Sequence, residues 1–133
     1  MRGRLVSVFA AGLLMSVPLS AHHGGAAYDV GKAITLKGTV TQWYYSNPHC
    51  LLTLEVKGED GTVVTWIAET QAPSIMYPAG YRRDTFKPGD QVTVVVDPAK
   101  NGRPVGHIRE AVTAAGWTLG SGGQSTPKPP AGK

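Results

Sequence analysis

The chain has 133 residues, of which 13 are basic and 9 acidic, with four histidines, one cysteine and a formal charge of +4. A single cysteine excludes an intramolecular disulfide framework, and this length supplies one hydrophobic core and excludes a second domain. Arg2 and Arg4 precede the first apolar run and Lys128 and Lys133 lie at the far end, so residues 22–119 carry nine basic against nine acidic side chains; a neutral body of this kind argues against a nucleic-acid surface.

The first element is a leader. Met1 to Arg4 is basic, Leu5 to Leu19 is an almost unbroken apolar run, and Ser20-Ala21 supplies small residues at a cleavage site. This is the pattern of a signal peptide over residues 1–21. The apolar run falls short of the roughly 20 residues needed to cross a bilayer and no charged stop-transfer cluster follows it. A retained membrane anchor is the alternative. With cleavage after Ala21 the mature chain begins at His22, has no membrane attachment, and works in a bacterial periplasm or as a secreted protein.

Residues 22–119 then read as one β-rich domain. Ala33 to Tyr45 alternates Ile34, Leu36 and Val40 against polar neighbours, with a bulge or bend expected at Gly38. Ser46-Asn47-Pro48 breaks this strand, and His49 to Lys57 forms the second. Gly58-Glu59-Asp60-Gly61 is a tight turn into a third strand, Thr62 to Glu69. Gln71 to Arg83, with Pro73 and Pro78, fits one or two helical turns. Lys87-Pro88-Gly89-Asp90 is a turn signal before the valine-rich strand Gln91 to Asp97. Val105 to Thr113 is the fifth strand, and Gly116 to Leu119 adds a short sixth. Gly120 to Lys133, made of Gly, Ser, Pro and Lys with little to bury, reads as a disordered tail.

Three strands, a short helical connection and two more strands is the order of an all-β OB-like barrel of five to six strands. A small open sandwich would produce the same string. In either, Ile34, Leu36, Val40, Leu52, Leu54, Val64, Trp66, Val92, Val94 and Ile108 should form the core. Cys50, in an apolar run, reads as a buried small hydrophobe ahead of a thiolate ligand or an intermolecular bridge.

His22-His23 at the mature terminus, Thr35 to Val40, Asn47-Pro48-His49 and Lys87-Pro88-Gly89-Asp90 together resemble a family of small exported bacterial proteins catalogued as a domain of unknown function. The resemblance spans roughly Ala21 to Leu119. It implies the exported barrel and no established reaction. The chain departs from the family after the two histidines, where Gly24-Gly25-Ala26-Ala27 replaces a polar and an aromatic residue, and the first aromatic is Tyr28.

Chemistry has to come from the residues. An N-terminal histidine chelates a metal through its α-amine and a ring nitrogen together, a nitrogen-rich geometry that suits copper. His22, His23 and His49 are therefore the candidate ligands of copper or another metal. From His22 to Ala33 the chain reaches at most about 40 Å, while the first strand is about 33 Å long, so contact with His49 is allowed and not required. His107, in the fifth strand, is the weakest candidate, because a strand histidine more often faces solvent. The competing reading makes the paired histidines a solvated terminus and Asn-Pro-His a plain turn.

Other constellations are missing. No Cys-x-x-Cys or His-Glu-x-x-His pattern supports zinc, no serine sits in a nucleophile elbow, and Gly120-Ser121-Gly122-Gly123 opens no helix that could cradle phosphate. Glu59-Asp60 reads as a hairpin tip, and Glu55 and Glu69 as outward strand positions. Trp43, Tyr45 and Asn47 are candidates for a ligand face, with core packing as the alternative for the aromatics. Catalytic residues are not identified. The reading is an exported, monomeric, non-enzymatic binding or accessory module whose partner is a small ligand, a metal or a periplasmic protein. A copper-dependent redox enzyme using an N-terminal histidine chelate is the alternative.

Overall fold

The computed structural model describes residues 27–132. The leader, His22 and His23 lie outside the described residues. Six strands follow in order: β1 (Ile34–Tyr44), β2 (Leu51–Lys57), β3 (Val63–Glu69), β4 (Gln91–Pro98), β5 (Val105–Val112) and β6 (Thr118–Gly120), with one helical turn, α1 (Pro73–Met76), between β3 and β4. The sheet order is β3-β2-β1-β4-β5-β6. A parallel pairing of β3 with β5, Ile67 to Glu69 against Val105 to His107, closes the first five strands into a barrel. Closure excludes the open sandwich and hides the edges that a flat sheet would leave unpaired.

β1 is the hub. Its first half pairs with β4 from Ile34 to Thr39 and its second half with β2 from Thr39 to Tyr44, so one strand serves two neighbours by bending at its centre. Gly38 sits at that bend, where a Cβ would lie 2.8 Å from the carbonyl oxygen of Glu55. The bulge expected at Gly38 falls three residues later: the register with β2 slips between Val40 and Gln42. One extra residue inverts the inward parity of everything after it. Leu36, Gly38 and Val40 face the core before the slip, whereas Trp43 faces inward after it and Tyr44 is exposed.

The core is Leu36, Val40, Leu52, Leu54, Val92, Val94, Val96 and Ile108, sealed by Met76, Tyr81 and Phe86 from the β3–β4 connection. Cys50 is fully buried in it, and burial pushes its thiol pKa up. Ile34 and Trp66 are only partly buried, and Val64, assigned to the core from sequence, is 41% exposed. The reason is that β3 meets β5 only from Ile67 onward. Ahead of that point β3 has only β2 beside it, and Val64, opposite Val56, stays open to solvent. The hairpin tip is a capped turn, with Asp60 accepting from both the amide and the hydroxyl of Thr62 at 2.9 and 3.0 Å.

The segment read as a disordered tail packs on the body instead. Lys128 and Thr118 exchange both backbone hydrogen bonds at 2.9 Å, and the ring of Pro127 occupies the space a side chain on Gly80 would need. Pro130 lies in the same way over Gly116. Proline rings are apolar and already conformationally restricted, so ordering such a segment costs less than its polar composition implies. Among the described residues no helix is long and apolar enough to cross a membrane.

Candidate functional site

At one end of the barrel the chain ahead of β1 folds over the β4–β5 connection. Tyr28 forms a bridge with Ala99, the amide of Asp29 donates to the Pro98 carbonyl at 2.9 Å, and the amide of Lys100 donates to the Ala27 carbonyl at 3.1 Å. Arg109 adds a side-chain anchor. It is the unmatched residue of a second bulge, between Val95 and Val96 of β4 and their partners in β5. That bulge lets its guanidinium reach Asp97 at 2.6 Å and the Val30 carbonyl as well. A charge-assisted pair on a buried carboxylate satisfies a group that would otherwise be costly to bury.

These anchors bring Tyr28 to a group of polar side chains drawn from three strands and a loop. Glu69 ends β3, His107 lies opposite it in β5, and Asp97 lies opposite His107 on the other side, in β4. His49 enters from the loop before β2. Together with Val30 and Gln71 these residues line a cavity of about 200 Å³, and a second cavity of about 170 Å³ shares Tyr28 and Glu69 as its wall.

Glu69 was expected to face solvent. It is 9% exposed, and both its oxygens are engaged. The Tyr28 hydroxyl donates to Oε2 at 2.6 Å, and His49 Nδ1 lies 3.1 Å from Oε1. Alternation failed here because at the point of barrel closure both ends of a strand residue's neighbourhood are protein. The Tyr28 hydroxyl is pushed to a higher pKa by burial first and by its bond to Glu69 second, so it stays a neutral donor.

His49 Nδ1 also lies 2.9 Å from the Thr70 carbonyl oxygen. A carbonyl only accepts, so Nδ1 carries the hydrogen. In the neutral ring Nε2 then holds the lone pair, and the imidazole is half exposed. His107, expected to face solvent, lies against the Tyr28 ring at 5.7 Å between centroids. Burial lowers its pKa, Glu69 and Asp97 oppose that in part, and His49 reinforces it. Among the described residues no group of three or more His, Cys, Asp or Glu side chains is placed to hold a metal ion. His22 and His23 lie outside the described residues, so of the three nominated ligands the structure places His49 alone.

The nominated ligand-face aromatics behave differently. The Trp43 indole N–H donates to the Arg82 carbonyl at 2.9 Å, and its ring packs edge-on against Phe86 at 5.0 Å and beside Tyr45 and Tyr81. The Tyr45 hydroxyl donates to the carbonyls of Pro73 and Tyr81 at 3.3 and 3.2 Å. Both are spent on holding the β3–β4 connection to the barrel. Asn47 is exposed and precedes a cis peptide bond to Pro48. Elsewhere, a cleft of about 520 Å³ runs between Lys87, Thr113, Trp117 and Pro127 and contains none of the nominated residues.

Sequence reasoning missed Tyr28, Glu69 and His107 as neighbours. The signal available was weak: an aromatic six residues after His22 and a strand-ending acid next to Thr70.

Comparison with curated proteins and with solved structures returns no match. A family model described as a family of unknown function, DUF6152, matches residues 11–109, a span that runs through β1 to β4 and takes in Tyr28, His49, Glu69 and His107. The chain belongs to that family of unknown function.

Proposed function

We propose that the mature protein is an exported, non-enzymatic binding module that takes a copper ion at the Tyr28 end of the barrel. The donors are the α-amine and ring of His22, the ring of His23 and Nε2 of His49. The orientation of His49 supports this reading most. A ligating imidazole characteristically donates its other N–H to a carbonyl or carboxylate, which fixes the ring and raises the basicity of the free nitrogen. His49 has both kinds of acceptor beside Nδ1.

The position of Tyr28 adds to it. From His22 to Tyr28 is six residues, a reach of at most about 20 Å. Because Tyr28 lines the same cavity as His49, a mature chain beginning at His22 has only that reach to span and need not run the length of the sheet. Paired nitrogen donors of this kind suit copper near the top of the affinity order of divalent first-row metals.

Copper titration of the mature protein tests the reading. Binding should weaken at least tenfold when one residue is added before His22, because the extension turns the amine into an amide and leaves every ring in place. His49→Ala should weaken binding comparably. Equal affinity in the three proteins would refute the site.

A further inference from the structure

The cleft of about 520 Å³ shares no residue with the two cavities beside Tyr28 and is more than twice the size of either. That volume is in the range of small-molecule sites, roughly 300–1,000 Å³. Its walls come from separate stretches of chain, each fixed by its own hydrogen bonds. In the turn after β5 the Thr113 amide donates to the Trp117 carbonyl at 2.9 Å, and the Trp117 amide donates to the Thr113 hydroxyl at 3.1 Å. In the β3–β4 connection the Arg82 amide donates to the Thr85 hydroxyl at 2.6 Å, and the Lys87 amide to Asp90 Oδ2 at 2.9 Å. Pro127 of the docked tail completes the lining. The cleft is therefore built by the fold and exists before any ligand arrives.

Its lining combines two chemistries. Trp117 is 44% exposed and contributes a broad flat ring with an electron-rich face. Asp84, Lys87 and Asp90 contribute charge, and none of them belongs to the three ion pairs among the described residues. Thr85 and Thr113 each spend an oxygen lone pair on a backbone amide and keep a hydroxyl proton to donate. A purely apolar ligand would strip water from three charged groups and give nothing in return. An anion would meet two carboxylates against one ammonium. A neutral ring with C–H groups on its face and hydroxyls around its edge satisfies both halves. We propose that the Trp117 cleft is a saccharide-binding site: the C–H face of a pyranose ring lies on the indole, and its hydroxyls donate to Asp84 and Asp90 and accept from Lys87, Thr85 and Thr113. The copper reading plays no part in it.

Isothermal titration of the mature protein with cellotriose, maltotriose and tri-N-acetylchitotriose tests this, with tetramethylammonium as the cationic alternative and adenosine as the stacking one. At least one trisaccharide should bind saturably, with a Kd of about 1 mM or tighter. Trp117→Ala should weaken that binding about tenfold or more. Because the ring is nearly half exposed, the variant should fold and keep a near wild-type urea midpoint and an unchanged copper titration. Asp84→Asn keeps the shape, removes a charge-assisted acceptor and should weaken binding by a smaller factor. If Trp117→Ala fails to fold, Asp84→Asn and Lys87→Met, both at exposed positions, read the same site. Trisaccharide binding that survives Trp117→Ala in the folded protein would place the sugar elsewhere and overturn the proposal. Binding of tetramethylammonium or adenosine alone would overturn it too, as would no binding of any of the three trisaccharides.

Discussion

The aromatic cluster around Trp43 and the polar cluster around Glu69 use their hydrogen bonds in opposite ways. In the first, the indole of Trp43 and the hydroxyl of Tyr45 donate to backbone carbonyls of the β3–β4 connection, and the rings of Tyr81 and Phe86 close over them. The polar atoms of Trp43 and Tyr45 are consumed in packing. In the second, donors from two segments converge on one carboxylate, and among the described residues Nε2 of the half-exposed histidine has no hydrogen-bond partner. Residue type does not separate the two, since tyrosines serve in both. What separates them is whether the polar groups are enclosed by the protein or, like the His49 ring, left half exposed.

The largest effect that can test this contrast is Trp43→Ala. Trp43 is only partly buried, so the loss should lie near the lower end of the range for truncating a large aromatic, about 3 kcal/mol, read as a lower midpoint in urea. Copper titration of the folded variant should be unchanged. A drop in affinity with the fold intact would show that the two clusters are coupled and that the contrast is false.

Acid sensitivity is the next way to separate the regions. His107 is depressed by burial, with Glu69 and Asp97 partly opposing and His49 adding to the effect. As pH falls through the ordinary histidine value of about 6.5, the unfolded chain binds the proton before the folded one does. Stability contributed by the neutral ring is therefore fully present above that value and is lost from there down through the folded pKa. Unfolding midpoints measured between about pH 7 and pH 5 should fall, and His107→Gln should flatten the slope. An identical slope in the variant would place the sensitivity elsewhere.

The smallest effect belongs to Tyr81. Its hydroxyl is the one buried side-chain polar atom among the described residues with no hydrogen-bond partner, and burial raises its pKa. Removing an unsatisfied group relieves a desolvation cost, so Tyr81→Phe should be neutral or stabilising by up to about 1 kcal/mol, seen as an equal or higher Tm. A clear loss would mean that the aromatic cluster depends on that oxygen.

Much of the barrel was legible because alternation and turn chemistry are local. The β1 and β4 patterns, the Gly58 to Gly61 turn and the helical turn behind Pro73 all follow from neighbours in sequence. Val64 has the same pattern as Leu54 and a different fate, because its burial depends on where β5 reaches β3. The tail has a disordered composition, and its order depends on two glycines, Gly80 and Gly116, that make room for prolines far along the chain. For the site, His49 was legible as a histidine fixed by a proline in a loop. Glu69 was not, since nothing in the alternation of β3 marks a strand-end acid as inward.

By itself the sequence determined the strand order, the helical connection between the third and fourth strands and the buried cysteine, because each depends on residue type and short-range periodicity. Only the tertiary structure decided where the bulge inverts β1 and which end of the barrel receives the N-terminal segment. It also decided that Tyr28, Glu69, His49 and His107 meet there. Those outcomes depend on closing β3 against β5, a pairing between residues some 38 positions apart in the register Glu69 to His107, and no local pattern encodes which side chains such a closure will enclose.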